Sequence, residues 1–259
     1  MRIGFLDSGI GGITVLHQAL KYLPNDDYIF YADTSHVPYG EKPKEVVKEY
    51  IFDAADFLAH QNVKALVVAC NTATSIAIDD LRNMYDFPIL GIEPAVKPAV
   101  QNRVRSQNKV LVLATNLTLR EEKFHNLVKK IDHHDIVEFL ALPGLVELAE
   151  KFEFRKEKVI PYLKEALSAF DINRYGTIVL GCTHFSYFAD SLQELFPKEI
   201  DIISGNMGTA KNLKRILTAT NRINEGSGDI QFLKSGQKIE DEKTLHQYKD
   251  LLLMLDHMI

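Results

Sequence analysis

The sequence predicts an α/β fold with two similar domains, each a mostly parallel sheet flanked by helices, and three observations support this prediction. Continuous apolar runs of strand length alternate with amphipathic segments of helical period, which is typical of parallel sheets covered on both faces. Several of these runs end in small polar residues. Two of the ends carry Cys70 and Cys182, the only cysteines in the chain of 259 residues.

The predicted elements form repeated strand–loop–helix units. The tail adds an expected strand at the edge of a sheet over 230–233 and an expected final helix over 245–258. The apolar runs expected to form the other strands are residues 3–6, 28–32, 65–69, 89–92, 110–114, 136–141, 178–180 and 200–203. The segments in which apolar residues recur at helical spacing are residues 16–23, 46–58, 124–131 and 163–170.

The chain divides into two predicted domains. Asp7 and Cys70 end two strands in the first half. At a similar interval, Thr115 and Cys182 end two strands in the second half. The chain is expected to pass from the first domain to the second within residues 93–98, which contain two prolines, and this segment is the expected hinge. The predicted domains are residues 1–95 with about 206–259, and residues 96–205. We expect the active site in the cleft between them.

Composition excludes several classes of protein. Hydrophobic residues make up 46% of the chain and charged residues 25%, with a net charge of −5, which argues against a nucleic-acid partner. No apolar run approaches the ~20 residues needed to span a bilayer, so no membrane association is expected. The apolar stretch within residues 1–7 is too short for a secretory signal, because an acidic residue already stands at position 7. We therefore expect a cytoplasmic protein with reduced cysteines.

Ligands of open parallel sheets bind beyond the carboxyl ends of the strands, where both cysteines are predicted. Free backbone N–H groups and the dipole of a following helix would lower a thiol pKa from its usual value of ~8.5. The same N–H groups, with Asn71, Thr72 and Thr183, are suited to hold a carboxylate. The pattern indicates either removal of a proton next to that carboxylate or covalent attack on it.

Two matched thiols favour the first of these reactions. A two-base isomerisation needs one acid–base group on each face of a carbon, one as thiolate and the other as thiol. Asp7 and His184 are candidate proton partners, and Ser8 projects beside Asp7 from a glycine-rich turn. That turn lacks the pattern of a nucleotide-phosphate loop. The other histidines read as surface residues are His17, His60, His125, His133, His134, His246 and His257.

Other interpretations of these segments stay open at this point. The cysteines could form a disulfide, bind zinc together with His184, or be small buried apolar residues. No familiar zinc-ligand spacing occurs, so no metal is expected. The segment around Tyr39 and Gly40 is a turn by composition, yet its amides are also suited to bind a second carboxylate. Thr118 begins a capping-box pattern and is expected to cap a helix.

Four segments of the chain resemble the glutamate racemases of the aspartate/glutamate racemase superfamily. They are residues 5–12, 31–42, 69–74 and 180–185. The resemblance implies two α/β domains with the active site between them and a cofactor-independent enzyme that interconverts L- and D-glutamate. It also implies that D-glutamate is supplied to peptidoglycan, and that a homodimer is possible.

The resemblance assigns roles to individual residues. It implies that Cys70 acts on D-glutamate and Cys182 on L-glutamate, assisted by Asp7 and His184. Two hypotheses remain beside glutamate racemase: a racemase of aspartate or another acidic amino acid, and a non-catalytic amino-acid-binding protein. The substrate-binding positions that the resemblance implies are Asp7, Ser8, Tyr39, Gly40, Asn71, Thr72, Thr183 and His184.

Overall fold

The computed structural model describes residues 1–103, 108–223 and 226–258, and it contains two sheets with helices packed against them. The predicted α/β fold class is therefore confirmed. The strands are β1 (Ile3–Asp7), β2 (Tyr28–Ala32), β3 (Ala65–Val68), β4 (Ile89–Gly91), β5 (Lys109–Ala114), β6 (Val137–Ala141), β7 (Tyr175–Leu180), β8 (Asp201–Ser204), β9 (Ile230–Lys234) and β10 (Gln237–Lys238).

Helices connect most of these strands. Short 3-10 turns cover Tyr39–Glu41, Ile172–Arg174 and Thr183–Phe188. The α-helices are α1 (Ile13–Tyr22), α2 (Lys44–His60), α3 (Asn71–Met84), α4 (Val96–Arg103), α5 (Asn116–Arg120), α6 (Glu122–Ile131), α7 (Pro143–Glu150), α8 (Lys156–Ala166), α9 (Ala189–Leu195), α10 (Asn206–Ala219) and α11 (Glu242–Asp256). None of the helices in the described ranges combines the length and apolar character needed to cross a bilayer.

The first sheet has the strand order β10-β9-β2-β1-β3-β4. All its pairs are parallel except the antiparallel pair of β9 with β10. Strands β1, β2 and β3 are buried along their whole length, which explains their continuous apolar sequences. Leu6 is in register with both Tyr31 and Val68, so these central strands end at the same edge.

The second sheet is entirely parallel, with the order β6-β5-β7-β8. Leu113 of β5 is in register with Leu180 of β7, and the chain continues from that point to Cys182. The residues that follow β5 and β7 therefore emerge together at one edge. The predicted domain boundaries stay a prediction.

The tail departs from the expectation in one respect. The strand expected at a sheet edge is β9, and it lies between β2 and β10. The short strand β10 forms the edge because a tight turn at Ser235 and Gly236, both with positive φ, folds the chain back. The turn also places Ser235 beside the end of β2, where its backbone N–H donates to the Ala32 carbonyl at 2.8 Å.

A buried ion pair lies at the other end of the first sheet, where its strands begin. Lys64 precedes β3 and pairs with Asp26, which precedes β2; their side chains are 2% and 1% exposed. The backbone of Lys64 is also held, because its N–H donates to the Arg2 carbonyl and its carbonyl accepts from Arg222. The pair thus fixes the relative positions of two strands at their amino ends.

We predict that Lys64→Met destabilises the protein by about 3–5 kcal/mol, because it leaves the Asp26 carboxylate buried without its cation. The measurement is the free energy of unfolding in urea. Lys156→Met is the matched control, since it breaks the exposed pair with Glu194, and surface pairs contribute little. Equal destabilisation by the two variants would contradict the prediction.

Candidate active site

A narrow cavity lies where the carboxyl edges of the two sheets meet. Both cysteines line it, and both are free thiols. Asp7 is the only predicted site residue that does not line the cavity. The wall includes Pro38, Thr115 and Val146 together with the predicted residues Ser8, Tyr39, Gly40, Cys70, Asn71, Thr72, Cys182, Thr183 and His184.

Cys70 is positioned by the start of α3. It is the N-cap residue, and its sulfur accepts a hydrogen bond from the Ala73 N–H at 3.4 Å. The Ser8 hydroxyl oxygen lies 3.8 Å from the same sulfur. Burial, followed by the Asp7 carboxylate, nevertheless raises the pKa of Cys70 to about 12. The expectation of a lowered pKa is therefore wrong for Cys70, because desolvation outweighs the hydrogen bonds from α3 and Ser8.

Cys182 has different surroundings. It precedes the 3-10 turn Thr183–Phe188 instead of the α-helix expected from the sequence, and its side chain receives no capping hydrogen bond. Its sulfur lies 3.6 Å from Nδ1 of His184. The negative charge of a Cys182 thiolate also contributes to the raised pKa of Cys70. The two thiols thus share one small space, with a backbone N–H beside one and an imidazole beside the other.

Asp7 lies behind the cavity wall and is completely buried. Its carboxylate accepts hydrogen bonds from the Gly9 N–H at 2.9 Å and from the Thr183 hydroxyl at 3.1 Å. Burial raises the pKa of Asp7, against the opposing influence of His184. The bond to Thr183 joins the last residue of β1 to the turn after β7, so the strand ends of both sheets are tied together here.

Glu150, the last residue of α7, belongs to the site although the sequence interpretation missed it. Its Oε1 lies 2.6 Å from Nε2 of His184 and accepts from the Ile10 N–H at 2.8 Å. A Cβ on Gly9 would collide with this carboxylate, so another residue there would push Glu150 away from His184. One signal was available: a carboxylate is electrostatically unfavourable at the C-terminal end of a helix.

Cys182, His184 and Glu150 form a continuous contact chain. Burial alone would lower the pKa of His184, but its contacts with Cys182 and Glu150 raise it well above the ordinary value of 6.5. A protonated His184 donates one hydrogen bond to each neighbour. The second cysteine therefore has a cationic partner, whereas the charge of the Asp7 carboxylate acts on Cys70 and raises its pKa.

Polar groups on α3 face the cavity and could anchor a carboxylate. The Asn71 side-chain nitrogen is buried and has no hydrogen-bond partner among the described residues, which is rare for a buried donor. The Thr72 hydroxyl lies 2.9 Å from the Thr115 hydroxyl and 3.0 Å from the Thr118 hydroxyl. Thr115 caps α5 by accepting from the Thr118 N–H. The expectation that Thr118 is the cap is therefore wrong, because the helix starts one turn earlier.

Two ion pairs connect α2 and α3 to residues 121–123, which follow α5. Lys44 of α2 contacts Glu121 at 2.7 Å. Lys123 of α6 contacts Asp79 of α3 at the same distance. Each pair joins a segment connecting strands of the first sheet to the region around α5 and α6.

One histidine expected at the surface is buried. His17 lies on α1 and contacts Asp256 at 2.7 Å, because α11 packs across α1.

Across the described ranges, no group of three or more His, Cys, Asp or Glu side chains is arranged as a metal site.

Comparisons with known proteins agree with this geometry. A family model described as Asp/Glu/Hydantoin racemase matches residues 15–211. Glutamate racemase 2 of Bacillus subtilis is 63% identical over 99% of this chain and 97% of its own length. Glutamate racemase of Halothermothrix orenii is 58% identical over 97% of this chain and 99% of its own.

Solved structures extend the similarity to the whole fold. The glutamate racemase of Francisella tularensis, crystallised with D-glutamate, aligns with a TM-score of 0.80 at 25% identity, over 100% of this chain and 94% of its own. The Thermus thermophilus glutamate racemase, crystallised with β-chloro-D-alanine, gives 0.78 at 30% identity, over 98% and 92%.

We predict that Glu150→Gln lowers the pKa of His184, because glutamine keeps the size and an acceptor oxygen but removes the negative charge. Titration of the histidine ring signals by NMR measures this value. Glu147→Gln, one turn earlier on α7 and exposed, is the matched control and should leave it unchanged.

The same shift predicts how stability depends on pH. Because folding raises the pKa of His184, its contribution to stability is complete below about pH 6.5 and disappears as the pH rises through the higher folded value. Glu150→Gln should reduce that pH-dependent part. An unchanged His184 titration in this variant would show that Glu150 does not hold the proton.

Proposed function

The chain belongs to the Asp/Glu/hydantoin racemase family and is an isomerase, and we propose that it interconverts L- and D-glutamate without a cofactor, through proton transfers by Cys70 and Cys182. The observation that carries the proposal is the pair of free thiols on one small cavity. One cysteine comes from the edge of each sheet. A carbon held between them would face one sulfur on each side.

The polar wall of the cavity suits an acidic amino acid. The unpartnered Asn71 nitrogen and the N–H groups at the start of α3, beside Thr183, would bind the α-carboxylate. Ser8 and the backbone amides of Tyr39 and Gly40 would bind the distal carboxylate. Thr72 would also contact the α-carboxylate, since it follows Asn71 on the same turn of α3.

The reaction with L-glutamate would begin at Cys182. Its thiolate takes the α-proton, so that the C–H bond breaks, an S–H bond forms, and the electron pair is delocalised into the α-carboxylate. Cys70, which enters as a thiol, then gives its proton to the opposite face of the carbon. D-glutamate would follow the same path in reverse, with Cys70 as base.

The surroundings of the two sulfurs fit these roles. A pKa of about 12 keeps Cys70 protonated, which is the form that L-glutamate requires. Protonated His184, held by Glu150, assists Cys182 from its Nδ1 atom. Asp7, whose pKa is raised by burial, would favour the Cys70 thiolate by taking up a proton when D-glutamate is bound.

The relatives support glutamate over the alternatives. The B. subtilis and H. orenii relatives are both named glutamate racemases, and the F. tularensis neighbour was crystallised with D-glutamate. We also propose that the reaction takes place in the cytoplasm and supplies D-glutamate for peptidoglycan, as the family resemblance implies. A homodimer stays a prediction.

We predict that Cys70→Ala and Cys182→Ala each lower the racemisation of glutamate by at least about 100-fold, because each removes one of two acid–base groups. Circular dichroism of L- or D-glutamate incubated with each variant measures the rate. Exchange of the α-hydrogen in heavy water provides a second readout, and a non-catalytic binding protein would give none.

Ser191→Ala is the control for these variants, because it removes one side-chain atom from a buried residue outside the cavity. It should racemise glutamate at the wild-type rate. Undiminished racemisation by either cysteine variant would rule out the two-base assignment, while leaving the chain's family membership intact.

A substrate panel separates glutamate from shorter acidic amino acids. We predict that kcat/KM for L-aspartate is at least about tenfold lower than for L-glutamate. Aspartate is one methylene shorter, so its distal carboxylate does not reach the amides of Tyr39 and Gly40 while the α-carbon lies between the sulfurs. Equal values for the two substrates would favour the broader acidic-amino-acid racemase.

A further inference from the structure

A buried carboxylate supports the loop that forms one wall of the cavity. Asp33 follows β2 and is 2% exposed. Its Oδ2 accepts from the Tyr39 hydroxyl at 2.6 Å, and its Oδ1 accepts from the Ser235 hydroxyl at 2.9 Å. His36 contacts the same carboxylate through Nδ1 at 2.8 Å. Three side chains thus hydrogen-bond to one buried carboxylate, as buried polar groups require.

Ser235 comes from a distant part of the chain, the turn between β9 and β10. Its φ of 44° lies in the left-handed region. Its backbone N–H donates to the Ala32 carbonyl at 2.8 Å, which fixes the turn against the end of β2. Its hydroxyl accepts from the Ser35 N–H at 3.0 Å while donating to Asp33. Both hydrogen-bonding functions of this hydroxyl are therefore used on the loop.

The loop supported in this way, residues 33–41, has little freedom to move without altering the cavity. Tyr39 and Gly40 line the cavity. A Cβ on Gly40 would lie 2.5 Å from the Thr115 Cβ, so the backbone there already touches the opposite wall. His36 stacks on Tyr50 with 3.7 Å between ring centroids, which holds the outer side of the loop. The Asp33 contacts hold its inner side.

We propose that Ser235 is a positioning residue for the substrate. Through Asp33 it holds Tyr39 and Gly40 at the distance required by the distal carboxylate, and so it sets the affinity for glutamate without taking part in proton transfer. This inference rests on the proposed function. It assigns the turn between β9 and β10, remote in sequence from both cysteines, to the substrate site.

Two variants remove the hydroxyl. Ser235→Ala keeps a Cβ, whereas Ser235→Gly also suits the left-handed backbone and guards against a loss of folding. We expect both to raise KM for L- and D-glutamate by about three- to tenfold, with kcat within about twofold of wild type, since only binding is affected. The two enantiomers have equal free energies in solution, so kcat/KM must be the same in both directions. With kcat unchanged, KM should therefore rise by the same factor for both enantiomers.

Ser227→Ala is a close control. Ser227 and Ser235 lie on either side of β9, and Ser227 donates its hydroxyl to Asp27, at the opposite end of β2 from Asp33. The chemical change and the type of partner are thus the same, but Asp27 lies far from the cavity edge. We expect wild-type KM and kcat for this variant.

A double-mutant cycle tests whether the effect passes through Tyr39. Tyr39→Phe removes the hydroxyl that Asp33 holds. If Ser235 acts through Asp33 on Tyr39, Ser235→Ala should change KM by less than about twofold in the Tyr39→Phe background. Full additivity of the two changes would overturn the proposed route, as would a fall in kcat at unchanged KM in Ser235→Ala.

The affinity for racemic glutamate, measured by calorimetry, separates this inference from the proposed function. A racemate is already at equilibrium, so no net reaction contributes to the heat. Weaker binding to Ser235→Ala than to wild type supports the positioning role even if wild type fails to racemise glutamate. Wild-type racemisation with equal binding to both proteins overturns the positioning role and leaves the function standing. A wild-type protein that neither racemises nor binds glutamate overturns both.

Discussion

The hydrogen bond between the Thr183 hydroxyl and the Asp7 carboxylate is the contact on which the site depends. It is completely buried and joins the strand end of one sheet to that of the other. Cys70 follows β3, which pairs with the strand that carries Asp7, and Cys182 directly precedes Thr183, so their approach to one cavity follows from this junction. A bond to a charged acceptor is also stronger than one between neutral groups. The raised pKa of Asp7 reflects how completely the junction excludes water.

The two sulfurs differ electrostatically although their sequence settings match. Cys70 has a carboxylate nearby, and Cys182 has the His184–Glu150 pair. The proposed mechanism needs both cysteines, yet it needs only one thiolate at a time. The unlike surroundings would provide that difference before any substrate arrives. Similar strand ends therefore do not imply similar chemistry.

Local sequence was sufficient for the fold and for most of the cavity wall. Apolar runs such as 28–32 form strands because both faces of the sheet are covered, and their polar terminators mark the functional edge. Glu150 could not be found this way, since its partners His184 and Ile10 are brought to it by tertiary packing. The raised pKa of Cys70 could not be predicted either, because burial in the folded protein outweighs the effect of its own helix. Thr118 shows the limit of a sequence motif. It begins a capping-box pattern, yet Thr115 is the residue that caps the helix.

The ion pairs that connect α2 and α3 to residues 121–123 have a further consequence. Lys44–Glu121 and Lys123–Asp79 join segments on the first sheet to segments that follow strand β5 of the second. Any movement of these two parts against each other must stretch or break both contacts. Lys44 and Asp79 are exposed to solvent, so dissolved ions weaken the attraction. The ionic strength of the surroundings therefore acts on how readily the two parts separate, independently of the chemistry at the two sulfurs.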